Sequence, residues 1–112
     1  MIKIALSGCC GHMGRAVARL AADSADMKIV AGADLRTEAY ADFPVYASFD
    51  EFPAEADAVI DFSNPSAFDG LLAYCLKHRT PLVLCTTGLS PEQIAAANKA
   101  AETIPIFRSA NM

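Results

Sequence analysis

Apolar and polar positions along this 112-residue chain switch repeatedly between a period of two and a period near 3.6. Ile2 to Ser7 is a short apolar run with the character of a strand, whereas Met13, Ala16, Val17, Leu20 and Ala21 recur at helical spacing. A second β-like run, Met27 to Ala33, ends in Asp34. Within Phe43 to Phe52 the pattern predicts a short strand around Val45 and Tyr46 and then one helical turn, punctuated by Pro44 and Pro53. Ala58 to Phe62 is apolar and β-branched, as a strand buried on both faces of a parallel sheet should be. Asn64 can then cap, and Pro65 can take the first position of a helix whose apolar face is Phe68, Leu71, Leu72, Cys75 and Leu76, ending near Lys77 or His78. Pro81 to Cys85 predicts another strand, and Ser90-Pro91-Glu92-Gln93 reads as a capping box that opens a helix through Ile94, Ala97 and Ala101. Ile104 to Phe107 is the last predicted strand. This alternation predicts an α/β fold, a Rossmann-like doubly wound parallel sheet in a single domain, with right-handed crossovers and one ligand edge.

The chemistry concentrates at the carboxyl ends of those strands. Gly8-Cys9-Cys10-Gly11-His12-Met13-Gly14 joins the first strand to the first helix, so its backbone N–H groups and the positive end of the helix dipole face one spot. The spacing is G-x-x-G-x-x-G, not the commoner G-x-G-x-x-G, and by itself it reads equally as a nucleotide loop or an ordinary tight turn. Asp34 favours the nucleotide. It follows the second strand, twenty residues beyond Gly14, where an acidic residue of a dinucleotide-binding unit accepts hydrogen bonds from ribose hydroxyls; otherwise it ends a strand in a solvated loop. Arg36 can pair with a ribose 2′-phosphate, which would admit NADP as well as NAD, or else is a solvated surface arginine. Phe62 and Ser63, Thr86 and Thr87, and Ser109 and Asn111 stand at three further strand ends, where small polar groups can line a cofactor. His78 suits a helix C-terminus and is read as structural.

Composition narrows the partners. A net charge of −4 without basic clusters argues against nucleic acid. Lys3 within the first strand, and Gly8 soon after it, fit neither a signal peptide nor a membrane span, so a cytoplasmic protein is expected. Cys9, Cys10, Cys75 and Cys85 show no C-x-x-C spacing and are read as reduced thiols. A metal held by Cys9, Cys10 and His12 would compete with the phosphate geometry of the loop, and no metal site is expected. A thiol at a helix N-terminus can have a lowered pKa, which makes Cys9 or Cys10 a candidate oxidation-sensitive group. The length suits one domain but is short for a complete dehydrogenase, so a second, substrate-binding half is expected to be missing.

Four segments together carry a resemblance: Gly8 to Arg15, Val59-Ile60-Asp61-Phe62-Ser63, Cys85-Thr86-Thr87-Gly88 and Ser109-Ala110-Asn111-Met112. They resemble the N-terminal nucleotide-binding domain of the 4-hydroxy-tetrahydrodipicolinate reductase (dihydrodipicolinate reductase) family of diaminopimelate and lysine biosynthesis, over essentially the whole chain. The resemblance implies that Gly8, Cys9, Cys10, Gly11, His12 and Met13 bind the pyrophosphate of NAD(P)H and that Asp34 binds ribose. It implies that Cys85, Thr86 and Thr87 approach the nicotinamide, together with Ser109, Ala110, Asn111 and Met112. Cys85 stands where the family has glycine, and His12 where many relatives have arginine; the choice between NAD and NADP stays open. The family's catalytic histidine and lysine belong to a C-terminal domain with no counterpart in this sequence, so no catalytic residue is expected here. The chain is therefore expected to be an inactive cofactor half, monomeric or only loosely associated although intact relatives are tetramers, with an apolar patch exposed. In the intact enzyme, hydride passes to the dehydrated 4-hydroxy-tetrahydrodipicolinate to give tetrahydrodipicolinate. Two other readings are the cofactor domain of a different two-domain dehydrogenase and a stand-alone nucleotide-sensing module.

Overall fold

The computed structural model describes residues 2–34, 43–49 and 56–108. Among the described residues six strands form one sheet: β1 (Ile2–Ser7), β2 (Met27–Ala33), β3 (Val45–Tyr46), β4 (Ala58–Asp61), β5 (Leu82–Leu84) and β6 (Ile106–Arg108). Their order is β3-β2-β1-β4-β5-β6, and every neighbouring pair is parallel. The chain starts in the middle, winds outward through β2 and β3, then returns to β4 and winds the other way. That reversal between β1 and β4 leaves a crevice at the strands' carboxyl ends.

Helices α1 (His12–Ala22), α2 (Phe68–His78) and α3 (Pro91–Ala100) supply the cover. In β1 the side chains alternate: Ile4 and Leu6 join a core with Ala18 and Ala21 of α1, while Ala5 joins a second core with Phe68, Leu71 and Cys75 of α2. The stretch Ile4 to Leu6 is buried on both faces and apolar throughout, so this part of β1 lacks the one-sided alternation of a surface sheet.

Local signals set most boundaries. Asn64 accepts a hydrogen bond from the Ser66 N–H at 3.0 Å, and Pro65 opens a short 3-10 turn, Pro65–Ala67, that runs directly into α2. Ser90 caps α3: its Oγ accepts from Gln93 N–H at 3.1 Å while Gln93 Oε1 accepts from Ser90 N–H at 3.0 Å. Gln93 Nε2 also donates to the Pro65 carbonyl at 2.9 Å, tying the start of α3 to the turn before α2. Ser90→Ala is expected to cost about 1 kcal/mol, seen as a fall in Tm of about 4 °C by calorimetry.

Three expectations are corrected. The buried face of α1 is Gly14, Ala18 and Ala21, while Met13 (51% exposed) and Leu20 (73%) point away. The smallest side chains take the sheet-facing side because the loop brings the helix backbone close to β1, leaving no room for Met or Leu. In α3 the buried residues are Ala97 and Ala100, and Ala101 is exposed. The last strand begins at Ile106; Ile104 is buried ahead of it, and Phe107 is exposed on the sheet's outer strand. The helical turn anticipated before Pro53 falls mainly on residues outside the described ones.

Candidate functional site

At the crevice lies a cavity of about 590 Å³, within the range of small-molecule pockets. Its walls come from the carboxyl end of β1 with the glycine loop (Ser7, Gly8, Gly11), the end of β2 (Ala33, Asp34), the end of β4 (Phe62, Ser63, Asn64), Ala47 to Phe49, and the α2 entrance.

The loop is shaped by its glycines. Gly8 has φ +78°, and a Cβ there would lie 2.7 Å from the Phe62 carbonyl carbon and oxygen. Its N–H donates to the Ala33 carbonyl at 2.7 Å and its carbonyl accepts from Gly11 N–H at 3.2 Å, so the turn is tied to β2 and to itself. Gly11 is the N-cap of α1, in extended conformation, and no side chain among the described residues caps the helix. The N-terminus of α1 thus opens beside the cavity without a side-chain acceptor of its own.

Asp34 does more than end β2. Its Oδ2 accepts the Cys10 N–H at 2.9 Å, so the carboxylate clamps the glycine loop while standing on the cavity rim. Arg15 Nε donates to the Cys10 carbonyl at 3.0 Å, which holds the other side of the same peptide segment.

Of the residues singled out in the sequence, Gly8, Gly11, Asp34, Phe62 and Ser63 share this cavity. Cys9 and Cys10 are buried and do not line it; Cys9 Sγ fills the space opened by Gly32, where a Cβ would come within 2.5 Å of the sulfur. His12 and Met13 are exposed on the first turn of α1. Cys85, Thr86 and Thr87 sit further along the sheet edge and do not line the cavity. Arg36, Ser109, Ala110, Asn111 and Met112 lie outside the described residues.

Cys9 overturns the expectation of an activated thiol. Burial, and then its neighbour Cys10, pushes the Cys9 thiol up to about 12, because the low-dielectric interior disfavours the thiolate more than the helix dipole favours it. Cys75 is likewise pushed up to about 12 by burial and then by Asp61, and the Cys85 thiol is raised by the same two causes. The ligand atoms of Cys9, Cys10 and Asp34 lie within 4.8 Å of one another, a set that excludes His12. A cation there would need a Cys9 thiolate that burial opposes and a carboxylate already holding the Cys10 N–H.

These shifts set an alkaline limit. An unfolded thiol near 9.0 loses its proton before a folded one near 12, so the unfolded state binds fewer protons across that interval. The contribution of Cys9 and Cys75 is therefore fully present below pH 9 and is lost as pH rises from 9 to 12. Urea midpoints measured across that interval should fall, and Cys75→Val should flatten the fall.

Sequence reasoning passed over Asp61. It is fully buried (0% exposed), although it sits in an apolar strand where a carboxylate is out of place. Its Oδ1 accepts from Ser63 N–H at 3.1 Å and from Ser63 Oγ at 2.5 Å, and its Oδ2 accepts from Thr86 Oγ1. The signal was present: a charge inside Val59-Ile60-Asp61-Phe62, with a hydroxyl two residues on.

The family model described as "Dihydrodipicolinate reductase, N-terminus" matches residues 2–112. The chain belongs to this family. The four-segment resemblance is thereby met over nearly the full sequence. Curated relatives named 4-hydroxy-tetrahydrodipicolinate reductase include that of Clostridium tetani, 44% identical, and that of Caldanaerobacter subterraneus subsp. tengcongensis, 46% identical. Each alignment covers 100% of this chain and 44% of the relative, so the chain spans less than half their length. Among solved structures, the dihydrodipicolinate reductase from Paenisporosarcina sp. TG-14 matches with a TM-score of 0.76 at 24% identity, over 91% of this chain and 43% of that one. The apo scyllo-inositol dehydrogenase from Lactobacillus casei matches with a TM-score of 0.77 at 18% identity, over 97% of this chain and 36% of that one, a likeness of fold. No helix among the described residues is long and apolar enough to cross a membrane.

Proposed function

We propose that this chain is the cofactor-holding part of a 4-hydroxy-tetrahydrodipicolinate reductase and that its cavity takes NAD(P)H. The observation that carries the reading is the convergence of the glycine turn, the α1 N-terminus without a side-chain cap and the Asp34 carboxylate on one cavity at the β1/β4 reversal. The residues fit the group. Where a Cβ on Gly8 would strike the β4 loop, a Cβ on Gly11 would meet, among the described residues, only the Gly8 carbonyl oxygen, at 3.5 Å, which leaves room there for a pyrophosphate to approach the backbone.

Bound NAD(P)H supplies a hydride for the dehydrated 4-hydroxy-tetrahydrodipicolinate, giving tetrahydrodipicolinate. This chain's share is binding and orientation. The N–H groups of the first turn, at His12 and Met13, face the pyrophosphate, and Asp34 accepts from the adenosine ribose hydroxyls. Phe62 and Ser63 border the half that crosses to the β4 side, and Cys85, Thr86, Thr87 and Ser109 to Met112 complete that end. Arg36 tunes the choice between NAD and NADP. Substrate binding and proton donation fall to the rest of the whole protein, so the chain alone binds cofactor as a monomer without turning substrate over. Four free cysteines suit a cytoplasmic setting.

Calorimetric titration of the chain with NADH and NADPH tests this reading. Wild type should bind at least one of them, and Gly11→Ala should weaken that binding at least about tenfold through steric exclusion of the phosphates, with Tm lowered by no more than about 4 °C, since alanine is a poorer N-cap than glycine by less than about 1 kcal/mol. No binding of either cofactor at millimolar concentration would overturn it.

A further inference from the structure

The acceptor arrangement around Asp61 assigns a polarity to the β4 side of the cavity. The carboxylate is fully buried and collects three donors: Ser63 N–H, Ser63 Oγ and Thr86 Oγ1. A hydroxyl carries one proton. Those of Ser63 and Thr86 are both directed at Asp61, and the two oxygens stand 3.5 Å apart. What remains on each is lone pairs. Thr86 is buried, but Ser63 is half-exposed and lines the cavity, so its Oγ meets a ligand as an acceptor only. The segment is held in place from a second side, where Gln93 Nε2 donates to the Pro65 carbonyl at 2.9 Å.

We propose that Asp61 acts as a positioning residue that makes the Ser63 hydroxyl an obligate acceptor, and that Ser63 thereby selects a ligand group bearing N–H donors. This rests on the dinucleotide reading above. With ribose at Asp34 on β2 and pyrophosphate at the β1 loop, the far half of a dinucleotide crosses the reversal point to β4. On that half the ribose hydroxyls can donate or accept and so suit either polarity, whereas the carboxamide NH2 only donates, which makes it the group an acceptor-only Ser63 tells apart. Replacing the amide by a carboxylate, which only accepts, sets lone pairs against lone pairs with the Asp61 charge behind them. The site therefore distinguishes the amide from the acid.

The test is calorimetric titration of the full chain with NAD+, with nicotinic acid adenine dinucleotide and with ADP-ribose, which lacks the ring. Wild type should bind NAD+ at least about tenfold more tightly than the acid analogue, as expected for a charged acceptor meeting an unpaired one. Ser63→Ala removes the acceptor while leaving Asp61 its Thr86 and Ser63 N–H partners; it should bring NAD+ and the acid analogue within about threefold, since only one hydrogen bond separates them, and leave ADP-ribose unchanged. Asp61→Ala frees the Ser63 proton and should narrow the same ratio. If Asp61→Ala does not fold, Ser63→Ala decides alone. An unchanged ratio in Ser63→Ala, or an equal loss of all three ligands, overturns the proposal while leaving the dinucleotide reading intact. Wild type that binds none of the three overturns both.

Discussion

Gly14→Ala will destabilise the domain by about 3 kcal/mol or more, even though alanine is favoured over glycine in a helix interior by about 1 kcal/mol. Gly14 stands in the first turn of α1, where its missing side chain lets the helix rest on the loop that precedes it. A Cβ at this position would lie 2.2 Å from the Gly8 carbonyl oxygen and 2.8 Å from the Cys9 Cα. Both are backbone atoms, and the loop cannot give way. Gly8 is held by its N–H bond to Ala33, at 2.7 Å, and by the Gly11 N–H on its carbonyl, at 3.2 Å. The steric term therefore exceeds the propensity term. Gly70 offers the opposite case within the same chain: it is exposed in α2, with nothing among the described residues within 4 Å of a Cβ. Gly70→Ala should stabilise by about 0.5–1 kcal/mol. Urea midpoints of the two variants should move in opposite directions, and a Gly14→Ala protein as stable as wild type would show that α1 can slide on its loop.

Asp34→Ala will weaken dinucleotide binding by about two orders of magnitude, the scale of one or two hydrogen bonds to a charged group. Two losses combine: the carboxylate leaves the rim of the cavity, and the Cys10 N–H loses the acceptor that holds the loop in register. Asp34→Asn separates them. An amide oxygen can still take the Cys10 N–H, but the charge and the second acceptor are gone, so the loss should be about tenfold. ADP-ribose should suffer by the same factor as NADH in both variants, because the contact lies on the adenosine side of the pyrophosphate. Unchanged affinity in Asp34→Ala would remove the carboxylate from the site, and a loss for NADH alone would move it to the other end of the ligand.

Much of this chain was legible because its signals are local. The capping box Ser90 to Gln93, the Asn64-Pro65 start and the apolar strands β1, β2 and β4 depend on residues within a few positions of one another, and each stands where its pattern put it. Asp34 was legible for another reason: the lengths of α1 and β2 between the loop and the carboxylate leave little freedom in where that carboxylate lands. The family resemblance rested on other short segments, Gly8 to Arg15, Val59 to Ser63, Cys85 to Gly88 and Ser109 to Met112.

What the sequence alone determined is thus the order of strands and helices, the doubly wound class of the fold and the pairing of a glycine loop with an acidic residue. Only the tertiary structure decided which way α1 turns, since Met13 and Leu20 make the more apolar stripe but the closeness of loop and sheet admits only Gly14, Ala18 and Ala21. It decided that Cys9 is an inert core thiol, because the space it fills belongs to Gly32 on another strand. It decided the role of Asp61, whose partner Thr86 stands 25 residues away on the loop after β5. In a parallel sheet, neighbouring strands are separated by a crossover, so the contacts that set burial and polarity at the site join residues that no local pattern relates.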